Sequence, residues 1–272
     1  STISSMLLSL DLLRFGSVVA VLALLLLLGA GCGPDASPAG DGAGDDGAAE
    51  RDTAGAADDL PVTNRYAIDT SLGTLVVELS DETPAHRDNF KRLVAEAFYD
   101  STTFHRVIEG FVIQGGDPSS RDDPENVGQG GPGYTVPAEF VPTLFHRRGA
   151  LAAAREGDAV NPERRSSGSQ FYIVQGRTFD AEALHTVEAQ VQARLGDSTF
   201  VFPDSARAVY REDGGTPQLD QQYTVFGQLV EGFDVLDRIA AAETPRSTDQ
   251  PVRGPLIDRP LEPVPMTIRP LP

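Results

Sequence analysis

The stretch Phe104-His-Arg-Val-Ile-Glu-Gly-Phe-Val-Ile-Gln-Gly-Gly-Asp117 reads as two short β runs that turn at Gly110 and end in a glycine pair. Side chains alternate between the faces of a strand, so Arg106 and Gln114 share parity. The turn at Gly110 can bring Phe111 to that same face. An arginine set among aromatic residues in a small β fold needs a carboxylate or a ligand to meet its charge. Two readings follow from the stretch alone: a buried ion pair, or a cation kept for a bound molecule.

Outward from this stretch the β signal recurs. Arg65–Thr70 and Thr74–Leu79 flank Ser71-Leu72-Gly73 as a predicted hairpin. Further runs lie at Thr103–Ile108, Phe111–Gln114, Gly149–Ala154, Gln170–Val174, Tyr223–Val230 and Met266–Ile268. Thr83-Pro84 offers an N-cap and a proline for the first turn of a helix. Phe90, Leu93, Val94, Ala97 and Phe98 then recur at helical spacing, which predicts a helix over Pro84–Phe98. Val235–Ala241 is a second, shorter one. Eight strands and two framework helices do not alternate as βαβ. The expected fold class is therefore all-β dominated, a closed eight-stranded antiparallel barrel capped by two helices. A helical insertion around 180–218 interrupts it. Leu184, Val187, Val191 and Leu195 share one face of a helix that begins at Asp180, and Ser205–Arg211 is a second helical piece. This insertion either packs on the barrel as a surface element or forms a rim for a substrate or partner.

The 272 residues carry 40 acidic and 22 basic side chains, a formal net charge of −18. Such a balance argues against nucleic acid as a partner, because phosphate binding relies on a cationic surface. One cysteine cannot form an internal disulfide, and four scattered histidines do not suggest a metal site. Gly128-Gln-Gly130-Gly-Pro-Gly133 spells a nucleotide-binding pattern, but Pro132 lies inside it and extended chain follows. A flexible loop is the better reading there. No nucleophile elbow, zinc-protease motif or phosphate loop is found in the sequence.

The N-terminal part has a different composition. Val18–Ala30 is a 13-residue apolar run, short for a spanning helix and matched to the core of a secretory signal. It leads to Gly29-Ala30-Gly31-Cys32, which resembles the end of a bacterial lipoprotein signal, although Gly29 stands where leucine is usual. The expectation is a signal over 1–31, acylation at Cys32 and an acidic disordered linker over 32–60. A plain signal peptide with an incidental cysteine is the alternative. Gly33–Leu60 holds eight acidic residues and one basic one, with too little apolar surface to offset the entropy of ordering. Gly33 after the cysteine resembles lipoproteins sent to the outer membrane. The expected location is the cell envelope, lipid-anchored on the periplasmic face of the outer membrane. Residues 61–272 are then the folded domain.

The Phe104–Asp117 stretch resembles the signature of the cyclophilins, the cyclosporin-type peptidyl-prolyl isomerases. The likeness continues at Gly133-Tyr-Thr-Val-Pro-Ala-Glu-Phe140, Gly149-Ala-Leu-Ala-Ala-Ala-Arg155, Gly168-Ser-Gln-Phe-Tyr-Ile-Val174 and Tyr223-Thr-Val-Phe-Gly227, in family order. The resemblance implies that Arg106 is the catalytic arginine, with Gln114 beside it. It places the proline pocket on Phe111, Val112, Tyr172 and Leu219, and further substrate contacts on Gln170, Tyr223, Ala154 and Arg155. Val112 and Tyr172 replace the usual methionine and second phenylalanine. Gln218 falls where the family has a tryptophan. The implied activity is X–Pro bond isomerisation in envelope or secreted proteins, without a cofactor or metal. The implied partners are proline-containing polypeptides, with membrane contact through the lipid and a monomeric state. A non-catalytic peptide-binding chaperone on the same barrel is the alternative.

Overall fold

A computed structural model describes residues 60–123 and 125–272. The apolar run, Cys32 and nearly all of the acidic linker lie outside the described residues. The main sheet has eight strands, and their ranges follow the apolar runs closely. In chain order the strands are β1 (Arg65–Thr70), β2 (Gly73–Leu79), β3 (Arg106–Ile108), β4 (Val112–Gly115), β5 (Thr135–Val136), β6 (Ala150–Ala153), β7 (Ser166–Ser167), β8 (Phe171–Val174), β9 (Val225–Glu231) and β10 (Met266–Pro270). The order across the sheet is β10-β1-β2-β9-β6-β8-β4-β3, while β5 and β7 form a separate pair.

The sheet is antiparallel and curled but open, a half-barrel in place of the expected closed barrel. Its edge strands β3 and β10 share no ladder. Thr103 and Pro265 form only an isolated bridge, backed by single bonds such as Phe104 N–H to Val264 C=O at 3.0 Å. The reason lies in the chain before β10. Pro260, Pro263 and Pro265 have no N–H to donate, so a continuous ladder cannot form there. The expected strand Thr103–Ile108 accordingly shortens to Arg106–Ile108.

Both faces of the middle strands are buried. Phe171 and Ile173 of β8, Leu151 and Ala153 of β6 and Ile113 of β4 face a large core that also holds Tyr66, Phe90, Phe104 and Phe226. Their neighbours Tyr172, Val174, Ala150, Ala152 and Val112 form a second, smaller cluster on the opposite face. The helices are α1 (Pro84–Ala95), the short α2 (Ser119–Asp122), α3 (Ala181–Leu195), α4 (Asp204–Glu212) and α5 (Phe233–Ala240). Helix α1 ends three residues before the predicted Phe98. The hydroxyl of Thr83 does not cap it and is buried without a partner. Glu139 caps it instead, accepting from the N–H groups of Ala85 (3.1 Å) and His86 (3.0 Å). A carboxylate at a helix N-terminus meets both the free donors and the positive end of the helix dipole.

The insertion has its own core, Phe179, Leu184, Val191, Phe202, Ala206 and Tyr210. Asp180 caps α3 by accepting from Ala183 N–H at 2.8 Å, and Gly196 ends it in the left-handed conformation. Helices α3 and α4 are joined by an ion pair between Arg207 and the buried Glu188.

Candidate active site

The register across the sheet explains how distant residues meet. Arg106 lies opposite Gln114, Gln114 opposite Tyr172, Tyr172 opposite Ala152, and Ala152 opposite Val225. Directly opposed residues of antiparallel strands share a face. These five therefore form one transverse row across β3, β4, β8, β6 and β9, on the face of the smaller cluster.

A directional chain of hydrogen bonds fixes the polar end of the row. Arg106 Nη1 donates to Gln114 Oε1 (3.2 Å), and Gln114 Nε2 donates to Gln170 Oε1 (3.2 Å). Gln170 Nε2 donates in turn to Gly130 C=O (2.9 Å) and Asp117 Oδ2 (3.3 Å). Asp117 also accepts from the N–H groups of Gly128 (2.5 Å) and Gly130 (3.1 Å). The glycine-rich segment read as a flexible loop is thus pinned to the site by a buried carboxylate. It runs on into β5, without the helix that a nucleotide fold would require.

On its other side Arg106 meets Asp258, the last residue of a 3-10 turn over Gly254–Asp258. Arg106 Nε lies 3.9 Å from Asp258 Oδ2, whereas Arg246 Nε donates to Asp258 Oδ1 at 2.5 Å. Of the two sequence readings, the carboxylate partner is therefore present, and the guanidinium is also left partly exposed. Asp258 neutralises Arg106 at long range while bonding closely to Arg246. Gln114 takes one of the five N–H donors of Arg106, whose side chain is 29% exposed. Burial pulls the Arg106 guanidinium below its ordinary pKa, and the charge of Asp258 opposes this.

The apolar end of the row is a shallow cluster. Phe111, Leu219 and Tyr223 are partly buried against Val112, Ala152, Ala154, Tyr172 and Val225. Tyr223 meets Tyr172 edge-on, with ring centroids 6.0 Å apart. The Arg155 guanidinium lies 4.6 Å above the Tyr223 ring, and its Nε donates to Gln222 C=O at 2.7 Å. This long side chain is therefore part of the wall. Ala154 N–H bonds to Gln170 C=O, and Ala154 C=O accepts from Ser167 N–H. Both backbone groups of Ala154 are therefore engaged within the fold, and Arg155 follows it just beyond the end of β6. Gln218 is half-buried beside Leu219, and its carbonyl accepts from Gln222 Nε2 at 2.8 Å. Every expected pocket residue from Arg106 to Tyr223 falls on this face. Cys32 lies outside the described residues.

Sequence reasoning missed Asp117 and Asp258. Asp117 ends the quoted stretch, where its position after two glycines was the available signal. Asp258 had none, being far along the chain from Arg106. His105 is buried beside Arg106 with neither ring nitrogen bonded. Desolvation pushes it down to about 4, against the pull of Asp117, so its imidazole is neutral near pH 7.

The structure thus has a curled antiparallel half-barrel with an arginine–glutamine pair beside a partly buried apolar cluster. The family profile described as "Cyclophilin type peptidyl-prolyl cis-trans isomerase/CLD" matches residues 65–266. The chain belongs to the cyclophilin-type peptidyl-prolyl cis-trans isomerases. A Staphylococcus saprophyticus protein assigned as a peptidyl-prolyl cis-trans isomerase is 37% identical over 193 residues, covering 70% of this chain and 86% of that protein. A Streptococcus pyogenes protein assigned as a bifunctional phosphatase/peptidyl-prolyl cis-trans isomerase is 37% identical over 200 residues. That match covers 71% of this chain but spans only 37% of the streptococcal protein. Among solved structures, the Cryptosporidium parvum cyclophilin type isomerase in the presence of the dipeptide Ala-Pro is similar, with a TM-score of 0.52 and 25% identity. It covers 75% of this chain and 96% of its own.

Proposed function

We propose that this chain accelerates rotation about X–Pro bonds in envelope or secreted polypeptides, with Arg106 as the catalytic group. The observation that carries the reading is the Arg106 guanidinium, held by Gln114 at the rim of the cluster of Phe111, Val112, Tyr172 and Leu219. An X–Pro amide resists rotation by roughly 20 kcal/mol because its C–N bond is partly double. No bond is cleaved, so the chemistry calls for no nucleophile. Twisting the amide localises the lone pair on the proline nitrogen, which becomes an acceptor only in that geometry. An N–H of Arg106 donates to it there, stabilising the transition state more than either planar ground state. The apolar residues hold the proline ring while the preceding carbonyl swings, and the Arg155 backbone pairs with the residue before proline.

The reading extends to location. A mature protein beginning at an acylated Cys32, with 33–60 as a tether, would keep the domain at the membrane. One acyl chain binds only marginally, so stable anchoring requires more than one. Palmitate labelling that disappears in Cys32→Ser is the expected result; labelling that persists would remove the anchor from the proposal. For the activity, the test is cis/trans exchange in an Ala-Pro peptide. Peptide binding without acceleration would support the chaperone reading instead.

A further inference from the structure

We propose that His146 is a positioning residue for the proline pocket, holding Tyr172 and Leu219 in register and tying both to the helical insertion. The inference rests on the reading of this face as a proline pocket. His146 Nε2 lies 3.0 Å from the Tyr172 hydroxyl, and His146 Nδ1 lies 2.8 Å from Asp220 Oδ1. Asp220 also accepts from His146 N–H (2.9 Å), and its second oxygen accepts from the Tyr210 hydroxyl (2.7 Å). The four side chains thus form one line from β8 to α4. With Nδ1 against the carboxylate and Nε2 against the Tyr172 hydroxyl, both ring nitrogens are engaged by hydrogen bonds. The phenol is thereby locked inward and its ring is set against the pocket.

His146 also orders the other pocket walls. Its ring lies nearly parallel to that of Tyr172, with centroids 6.0 Å apart, and edge-on to Tyr223 at 6.5 Å. Its carbonyl accepts from Thr216 N–H at 2.8 Å. Thr216 precedes the 3-10 turn Pro217–Leu219 that presents Leu219, and Asp220 follows that turn directly. Gly215 passes so close to His146 C=O that a Cβ there would collide with it. His146 and Tyr210 are fully buried, and Tyr172 and Asp220 are each 4% exposed. A buried carboxylate and imidazole cost stability relative to an apolar filling, so the line is explained by the geometry it imposes. Tyr210 touches none of the pocket side chains by hydrogen bond, yet it belongs to the core of the insertion. The insertion therefore braces the pocket from behind.

The test uses the full chain and the variants Tyr210→Phe, Tyr172→Phe and the double variant. Loss of one hydrogen bond to a buried carboxylate predicts that Tyr210→Phe raises KM for an Ala-Pro peptide about three- to tenfold, with kcat within about twofold. In the Tyr172→Phe background Tyr210→Phe should add nothing, because the line is already cut. An unchanged KM in folded Tyr210→Phe, or full additivity in the double variant, overturns the inference. NMR of 13C-labelled tyrosine reads the Tyr172 ring-flip rate, which should rise in Tyr210→Phe. An unchanged flip rate overturns the positioning role even in a protein without isomerase activity. Faster flipping in such an inactive protein supports the role and sinks only the proline-pocket reading.

Discussion

The two faces of the curled sheet are buried by the same strands to different ends. The inner face packs Phe90 against Tyr66, Tyr99, Phe171 and Phe226, with ring centroids 5.3 to 6.0 Å apart. The outer face carries Ala150, Ala152 and Ala154 along β6 beside the buried Tyr172 and leaves Phe111 and Tyr223 only partly buried. Large side chains fill the inner space, whereas the outer face is built on small buried side chains with partly buried apolar ones at its rim. One face is closed on its own side chains, and the other leaves Phe111, Leu219 and Tyr223 partly open.

The largest expected effect separates the faces directly. Phe171→Ala should destabilise the protein by about 3–5 kcal/mol in urea unfolding, while Phe111→Ala should raise KM and cost less than about 1 kcal/mol. Equal losses would erase the distinction. A second separation comes from pH. His105 and His86 are buried with pKa values pushed below the ordinary histidine value by desolvation, His105 to about 4. The unfolded chain binds these protons first, so stability is full above about pH 6.5 and falls as pH drops toward 4, by roughly 3 kcal/mol for His105. Thermal melts across that window should show the slope, and folded His105→Leu should flatten it. A melting temperature constant from pH 6.5 to 4.5 would contradict the assignment.

Arg106→Ala tests the outer face alone. Loss of one transition-state donor should lower kcat/KM by about 10²-fold or more with little change in stability. Unchanged activity in the folded variant would move catalysis elsewhere. The smallest effect is that of Asp258→Asn, which keeps the shape of the side chain but removes its charge. At 3.9 Å from Arg106 and with Arg246 left unpaired, a loss of about three- to tenfold in kcat/KM is expected. Restoration by an additional Arg246→Gln change would show that the balance of charge is what matters, while no loss in Asp258→Asn would make the ion pair purely structural.

Much of this was legible because it is local. The hairpin of β1 and β2 follows from apolar runs about Ser71-Leu72-Gly73, and α3 from its spacing after Asp180, with its N-cap where the pattern begins. The Phe104–Asp117 stretch placed Arg106, Gln114 and Phe111 together because a two-strand turn is specified within a few residues. The four residues Phe171–Val174 hid their division of labour. When both faces of a strand are buried, polarity no longer alternates, and the sequence does not mark which side holds the site.

What the sequence by itself determined was therefore the eight strands of the main sheet, the helices α1 and α5, the insertion and the residues of the signature stretch, but not β5, β7 or α2. Only the tertiary structure decided that the sheet stays open, that Glu139 caps α1, that Asp258 meets Arg106 and that Asp220 joins His146 to Tyr210. The contacts of Glu139 with α1, of Asp258 with Arg106 and of Asp220 with His146 join groups far apart in the chain, where no periodicity or spacing links the partners. The physical reason is common to them. A backbone pattern is imposed by neighbouring residues, whereas a buried charge or donor is satisfied by whichever group the fold carries to it.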